Sequence, residues 1–440
     1  MVWLPGHSNA LLHGTADFGG ADAGIRLVEH VRPFVVLGDS VSVEHGETTP
    51  PAFPVPRECP FEPPEIYQEW RSTCPAAKVT LPNGSSAWVL TRNEDVRRVL
   101  GSDKVTTKPG KAKLRAGVVM PPGEDTNLLY LDNPKHGHYR KMLVKEFTPK
   151  HIQAMRPRIE QIVNRCIDSL LEQDAPADLV RTFCLPIPSM VICQLLGVPY
   201  AKHEYFERLA AKLTDIATAP EEYASTLAEL TSYMDQVVAE KESDPTDDII
   251  GRLIESRVRT GELTHDQLVG FAMLLLIAGY ETTANQIAMG VLNLLIDRER
   301  LEDVRRDPGL WPNVIEEMLR IASISDKVPV RTALDDIEVA DRTITAGEGV
   351  IALLGAANHD PAVFENPNLF DPERNNRASV AFGFGIHTCV GQNLARAELD
   401  VAFRLLFERV PTLELHTPVD KIRFKQDQHV FGPEEFKVRW

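Results

Sequence analysis

Phe382-Gly383-Phe384-Gly385-Ile386-His387-Thr388-Cys389-Val390-Gly391-Gln392-Asn393-Leu394-Ala395-Arg396 sets one cysteine among three glycines. Gly383, Gly385 and Gly391 permit backbone angles that a side chain forbids, so the chain is expected to curl tightly and turn peptide N–H groups toward the sulfur. From Gly391 to about Phe407 the residues Leu394, Ala397, Val401 and Leu405 recur at helical spacing. Cys389 is therefore predicted at a helix N-terminus, where unpaired N–H donors and the helix dipole favour an anion. A cysteine so placed is expected to be a thiolate, open to nucleophilic, redox or metal-ligand chemistry.

The chain has 440 residues, 43% of them hydrophobic, which is ample for a large core, and a formal net charge of −16. That charge argues against general binding to nucleic acid or to anionic membranes. Cys59, Cys74, Cys166, Cys184, Cys193 and Cys389 are too few for a disulfide scaffold and show no zinc spacing. A reducing, cytoplasmic setting fits them, with the five besides Cys389 expected to be inert. No run of about 18 apolar residues and no basic, then apolar, N-terminal segment is present, so neither a membrane span nor a signal peptide is expected.

Residues 1–52 lack sustained periodicity and are expected to be a poorly ordered extension. Beyond them a proline-rich lead-in, a short helix over Glu65–Arg71 and a hairpin pairing Val79–Leu81 with Ala87–Thr91 are predicted. Asn93 is expected to cap the next helix. The segment Val105–Asp125, with Lys108, Lys111, Lys113 and Arg115, is long for a loop in a compact domain; it is either functional or a solvated basic loop. His136 and Arg140 are four apart on one helix face and could grip a carboxylate or phosphate. From Thr148 to Arg259 the pattern is helical, with ends at Gly197 and at Asp244-Pro245.

Thr264-His265-Asp266-Gln267 is a capping box opening a long apolar helix to about Asp297. Ala278-Gly279-Tyr280-Glu281-Thr282-Thr283 falls inside it and works against helix regularity. A carboxylate buried there is costly unless used or paired. The segment reads either as a water-filled kink or as a proton path made of an acid, a hydroxyl and a gap of small residues. Glu317 and Arg320 share a helix face, and an exposed pair of that kind contributes about 0.2–0.5 kcal/mol.

Phe-x-x-Gly-x-His-x-Cys-x-Gly followed by Leu-Ala-Arg resembles the haem-binding loop of the cytochromes P450. The resemblance extends through Asp132-x-Pro134-x-His136-x-x-x-Arg140, Ala278-Gly279-x-Glu281-Thr282 and Glu317-x-x-Arg320, and covers about Phe53 to Trp440. It implies a mainly α fold with smaller β-sheets: a single globular haem-containing domain, residues 53–440, around a long central helix. Cys389 would be the axial ligand of the iron of haem b, and thiolate donation favours O–O cleavage. His136, Arg140, Arg331 and His387 would contact the propionates, and Phe382 the haem. Ala278 and Gly279 would leave room for O2 and substrate; Thr282 would hydrogen-bond dioxygen and Glu281 relay protons. Arg374 would join Glu317 and Arg320 in a structural lock. The lid would lie within roughly residues 200–240, and the 105–125 loop over the distal side.

The wording around Phe53–Phe61, Ala278–Asn285 and Ala346–Ala352 is most similar to the actinobacterial branch, although Tyr280 stands where that branch often has histidine. That branch hydroxylates macrolides, other polyketides, sterol-like compounds and xenobiotics. The implied activity is monooxygenation of an apolar small molecule by a monomer. Electrons would come from NAD(P)H through a ferredoxin reductase and a ferredoxin docking at Lys141, Lys145 and Arg396. A second reading is nitric oxide reduction with NADH, its phosphates held by the Lys108–Arg115 loop. A third is a non-catalytic haem sensor or carrier. The intact Glu281–Thr282 pair argues against both.

Overall fold

The computed structural model describes residues 50–108, 127–327 and 329–440. Most of the 1–52 extension, most of the basic loop (Lys111, Lys113 and Arg115 included) and Val328 lie outside them. The packed body begins slightly earlier than expected. Pro50 and Pro51 carbonyls accept from Thr80, and the Phe53 N–H donates back to Thr80 at 2.8 Å. Residues 50–52 are thus tied to a sheet edge.

Apolar residues at helical spacing give most of the chain its form. The helices are α1 (Ile66–Thr73), α2 (Asn93–Leu100), α3 (Lys135–Val144), α4 (Pro149–Leu171), α5 (Pro186–Leu196) and α6 (His203–Thr214). They continue with α7 (Pro220–Ser243), α8 (Ile249–Leu253), α9 (His265–Ile296), α10 (Arg298–Arg306), α11 (Trp311–Ala322), α12 (Leu354–Asn358) and α13 (Gln392–Arg409). The predicted ends hold where glycine or proline dictates them. Gly197 closes α5 in the left-handed conformation at φ +70°, and α7 stops at Ser243 before Asp244-Pro245. Asn93 does not cap: it is the first helical residue of α2, and its amide donates to Ala357 and Ala378 carbonyls.

Strands β1 (Ala76–Thr80) and β2 (Ser86–Leu90) form the predicted hairpin. With β3 (Val105–Thr106), β5 (Val330–Ala333) and β8 (Gly349–Ala352) they make a sheet ordered β1-β2-β8-β5-β3, parallel only between β2 and β8. Here β4 (Ala177–Asp178), β9 (Glu414–Leu415) and β10 (Lys437–Arg439) form a three-stranded sheet, and β6 (Ile337–Val339) pairs β7 (Arg342–Ile344).

The organising element is α9, whose 32 residues reach roughly 48 Å. Its capping box forms as predicted: Thr264 Oγ1 accepts from the Gln267 N–H and Gln267 Oε1 accepts from the Thr264 N–H. α5, α7, α11 and α13 pack around it. By length and composition it is the one described helix able to span a bilayer, and 61% of its most apolar window is buried inside the protein. The helix runs α-helical without a break through residues 278–283. Thr282 Oγ1 donates to the Ala278 carbonyl at 2.7 Å, satisfying its hydroxyl within the helix.

The Glu317–Arg320 pair is not exposed; both side chains are wholly buried. Arg320 donates to both Glu317 oxygens (2.8 and 2.7 Å) and to the carbonyls of Asn358 and Pro367. Arg374 Nε completes the lock on Glu317 Oε1 at 3.1 Å. This ties α11 to the segment leading into the cysteine loop. Glu317→Ala would leave two guanidinium groups facing no carboxylate; we expect a loss of about 3–5 kcal/mol in urea unfolding. Removing the exposed Arg306–Asp303 pair should cost under about 1 kcal/mol.

Candidate active site

The cysteine loop is built by two left-handed glycines, Gly383 (φ +74°) and Gly385 (φ +76°). A Cβ on Gly385 would lie 2.3 Å from the Leu100 carbonyl oxygen, so this position also requires the absence of a side chain. Gly391 adopts an ordinary φ of −83° and needs no such freedom. The Cys389 N–H donates to the Phe382 carbonyl at 2.9 Å. The helix starts at Gln392, so Cys389 precedes it by three residues rather than standing at its first turn. Burial pushes the Cys389 thiol up, opposed by the Gly391 N–H, Arg140, Arg396 and the Gln392 N–H. A metal ligated by the sulfur would favour the thiolate. Burial also raises Cys166 and Cys193 to about 12, which leaves these thiols protonated and unreactive.

Cys389 opens onto a cavity of about 620 Å³. That lies near the middle of the range of about 300–1,000 Å³ for small-molecule sites. One wall is α9, contributing Ala278, Gly279, Glu281 and Thr282. His136, Arg140, Arg331, Phe382 and His387 line the same cavity. Every predicted site residue is thus brought to one place. From the 200–240 segment expected to carry the lid, Leu213 and Thr214 of α6 and Tyr223 and Leu227 of α7 line it. Thr107, Lys108 and Asn127, on either side of the undescribed loop, line it too. Tyr280 does not: it is buried in the helical core.

The polar side of the cavity is unusual in what it leaves unmet. His136 on α3 is buried, and neither of its ring nitrogens has a hydrogen-bond partner; His387 Nε2 is likewise buried and unpartnered. The two rings lie 4.1 Å apart. Burial and the neighbouring Arg140 lower His136 to about 4, while burial and His136 lower His387 to about 3. Near pH 7 both are neutral imidazoles, each with one N–H to give. Burial lowers Arg331 to about 10, still a cation, and its Nη1 donates only to its neighbour's carbonyl, Val330 O. Arg140 donates to the Thr388 carbonyl, linking α3 to the cysteine loop.

Orphaned buried donors are costly unless a ligand takes them up. These residues fit a haem: donors suited to anionic propionates, a lone sulfur suited to iron, and Phe382 with an apolar α9 wall for a flat macrocycle. Gly279 lines the cavity and also packs against α5. A Cβ there would meet Ile192 Cδ1 at 2.9 Å, so its bare Cα lets α5 pack closely.

Sequence reasoning missed two contributors. Asp132 accepts from Thr106 Oγ1 and from the Thr107 N–H, anchoring the start of the basic loop beside the histidines. Lys425 Nζ lies 3.5 Å from Glu281 Oε1, a partner 144 residues away that no local pattern announces. In the expected docking patch, Arg396 is already paired with Glu316 and stacked over Phe382 at 4.5 Å, leaving Lys141 and Lys145 exposed.

The family model described as cytochrome P450 matches residues 309–440. Pentalenic acid synthase of Streptomyces avermitilis is 41% identical over 396 residues, spanning 89% of this chain and 98% of its own. Vitamin D3 dihydroxylase of Streptomyces griseolus is 40% identical over 400 residues, spanning 89% and 98%. The crystal structure of mycinamicin VIII C21 methyl hydroxylase from Micromonospora griseorubida, bound to mycinamicin VIII, superposes with TM-score 0.84 at 38% identity, over 89% of this chain and all of that one.

If the orphaned imidazole meets an anionic propionate, His136→Phe keeps the wall and removes the donor. Its haem should transfer to apomyoglobin about tenfold faster or more, from the worth of one hydrogen bond to a charged group. An unchanged rate would remove His136 from the cofactor contacts.

Proposed function

The chain belongs to the cytochrome P450 family and is a haem-dependent monooxygenase; on that premise we propose that it oxidises a C–H bond of an apolar polyketide, macrolide, terpenoid or sterol-like molecule. The observation that carries this reading is a single cavity with Cys389 on one side, the Glu281–Thr282 pair on α9 and two unpartnered imidazoles in its wall. Haem held by a thiolate supplies, when bound, the activation of O2 and transfer of one of its oxygen atoms.

In this reading Cys389 Sγ holds the iron, and His136, Arg140, Arg331 and His387 hold the propionates. The backbone turn at Gly383 and Gly385 fixes the path of the chain into Cys389. The distal wall, with Met273, Leu274, Ile277, Leu213 and Leu227, favours an apolar substrate and excludes water. Thr282 Oγ1 spends its proton on Ala278 O, which leaves its oxygen as an acceptor toward the cavity. Glu281, buried beside it, takes up and releases the protons that O2 reduction consumes. This catalytic domain we assign to residues 50–440. We further propose cytoplasmic NAD(P)H as the electron source, through a ferredoxin reductase and a ferredoxin that meets the exposed Lys141 and Lys145. The relatives named above are a synthase and hydroxylases of small molecules, which supports oxygen insertion over nitric oxide reduction.

Titration of the ferric protein with macrolides, terpenoids and sterol-like compounds, mycinamicin VIII and vitamin D3 among them, should shift the Soret band as water leaves the iron. A panel without a shift overturns the substrate class. Thr282→Ala should lower product formed per NADPH by about tenfold while NADPH oxidation persists as hydrogen peroxide; unchanged coupling refutes its role. Cys389→Ser should abolish the carbon monoxide difference spectrum of thiolate-ligated ferrous haem, and its persistence would refute the assigned ligand.

A further inference from the structure

The segment 423–434 doubles back on itself. The Lys425 N–H donates to Gly432 O at 2.9 Å and the Glu434 N–H to Arg423 O at 2.9 Å. It is pinned to the body at several points. Gln426 exchanges hydrogen bonds with the Arg57 backbone, Lys327 Nζ donates to the Gln426 carbonyl, and the Phe431 N–H donates to Ile324 O. Its tip contributes His429 and Val430 to the wall of the cavity. Its base lies flush on α9: a Cβ on Gly432 would fall 2.2 Å from Asn285 Oδ1.

From that base Lys425 reaches α9. Its ammonium donates to Asn285 Oδ1 at 3.2 Å and lies 3.5 Å from Glu281 Oε1. Asn285 is in turn oriented by its own amide, which donates to the Glu281 carbonyl at 2.9 Å. Glu281's side chain is 4% exposed and that of Lys425 is 18% exposed, so the lysine bridges from solvent to the buried acid. Glu281 Oε2 is buried with no partner. One carboxylate oxygen is held by the cation and the other is left over.

We propose that Lys425 is a positioning residue for proton delivery: it holds Glu281 in a charged, ready state between successive proton transfers. The proposal rests on the reading of Glu281 as a proton relay. Two protons are consumed for each O2 reduced by two electrons to one water and one inserted oxygen atom. A single carboxyl that gives up one proton must exist as a carboxylate until solvent recharges it. A bare carboxylate at this depth is strongly disfavoured, whereas one facing an ammonium is not. The ammonium beside it makes the emptied acid tolerable, and its partly wetted end marks the side from which the replacement proton comes. Because the same pinned loop forms part of the cavity wall, the acid's partner is fixed relative to the substrate.

The test compares the holoenzymes of Lys425→Met, Lys425→Arg, Glu281→Gln and the Lys425→Met/Glu281→Gln double variant. The first readout is independent of turnover. Burial pushes the Glu398 carboxyl well up, so a protonated-carboxyl background is common to all these proteins. At pH 7 the infrared difference spectrum of Lys425→Met minus wild type should show an added protonated-carboxyl component that is missing from the double variant minus wild type. The second is steady-state turnover with the compound giving the largest Soret shift. In Lys425→Met it should fall about tenfold, with a larger solvent deuterium isotope effect and more hydrogen peroxide. The substrate dissociation constant from the Soret titration should stay within about twofold, and Lys425→Arg should restore turnover and the wild-type infrared pattern. A Lys425→Met enzyme with no added component and an unchanged isotope effect overturns the proposal. So does one that loses only substrate affinity, because the lysine would then merely support the wall. If instead Glu281→Gln turns over with the wild-type rate and isotope effect, the relay reading itself fails. The infrared band would still report whether Lys425 sets the charge of Glu281.

Discussion

Desolvated hydrogen-bonding groups without partners are the constraint around which this molecule is arranged. His136 and His387 sit buried at the wall of a cavity with ring nitrogens unmet. Each such group costs about 1–3 kcal/mol relative to a satisfied one. The surrounding packing presents these donors to the cavity. α9 runs beside it as an uninterrupted apolar rod, and the Glu317–Arg320–Arg374 lock braces the segment that delivers Cys389. Arg140 then stitches α3 to the cysteine loop through the Thr388 carbonyl. The ligand that takes up these donors also completes the core, so cofactor binding and folding stability are one account.

Much of this was legible from local pattern, because the relevant physics is local. A capping box, a left-handed glycine and a proline after a helix each act within a few residues, so Thr264, Gly197 and Pro245 could be read directly. The identities around Cys389 were legible for the same reason: two positive-φ glycines and a histidine two residues from a cysteine form one tight turn. Even so, the reading of that turn was too generous. Gly391 needs no special backbone angle, and the helix begins only at Gln392, which leaves burial to outweigh its N–H groups at the sulfur.

What stayed hidden depends on groups distant in the chain. The lock of Glu317, Arg320 and Arg374 was implied by resemblance, but spacing alone did not reveal its full burial or the carbonyls of Asn358 and Pro367 that make the enclosure tolerable. Asn93 looked like a cap because its type suits one, yet its amide is used to tie α2 to the Ala357 and Ala378 carbonyls. Gly279 was read only as a gap in the cavity wall, and its close packing against Ile192 of α5 was not foreseen. Lys425 gave no sign at all. A lone lysine in a polar stretch is ordinary, and only the fold brings it to Glu281.

The pairing of β2 with β8 carries a consequence for biosynthesis. Those two strands lie side by side and parallel, yet α2 through α11 are made between them. During translation the β1–β2 hairpin therefore waits with an open, apolar edge (Val89 and Leu90 among its residues) until β8 has left the ribosome. An unpaired edge of this kind is a template for mispairing with another chain. Slow passage through the region before Gly349 would lengthen that exposure, and low-temperature or chaperone-assisted synthesis would be expected to raise the yield of folded protein.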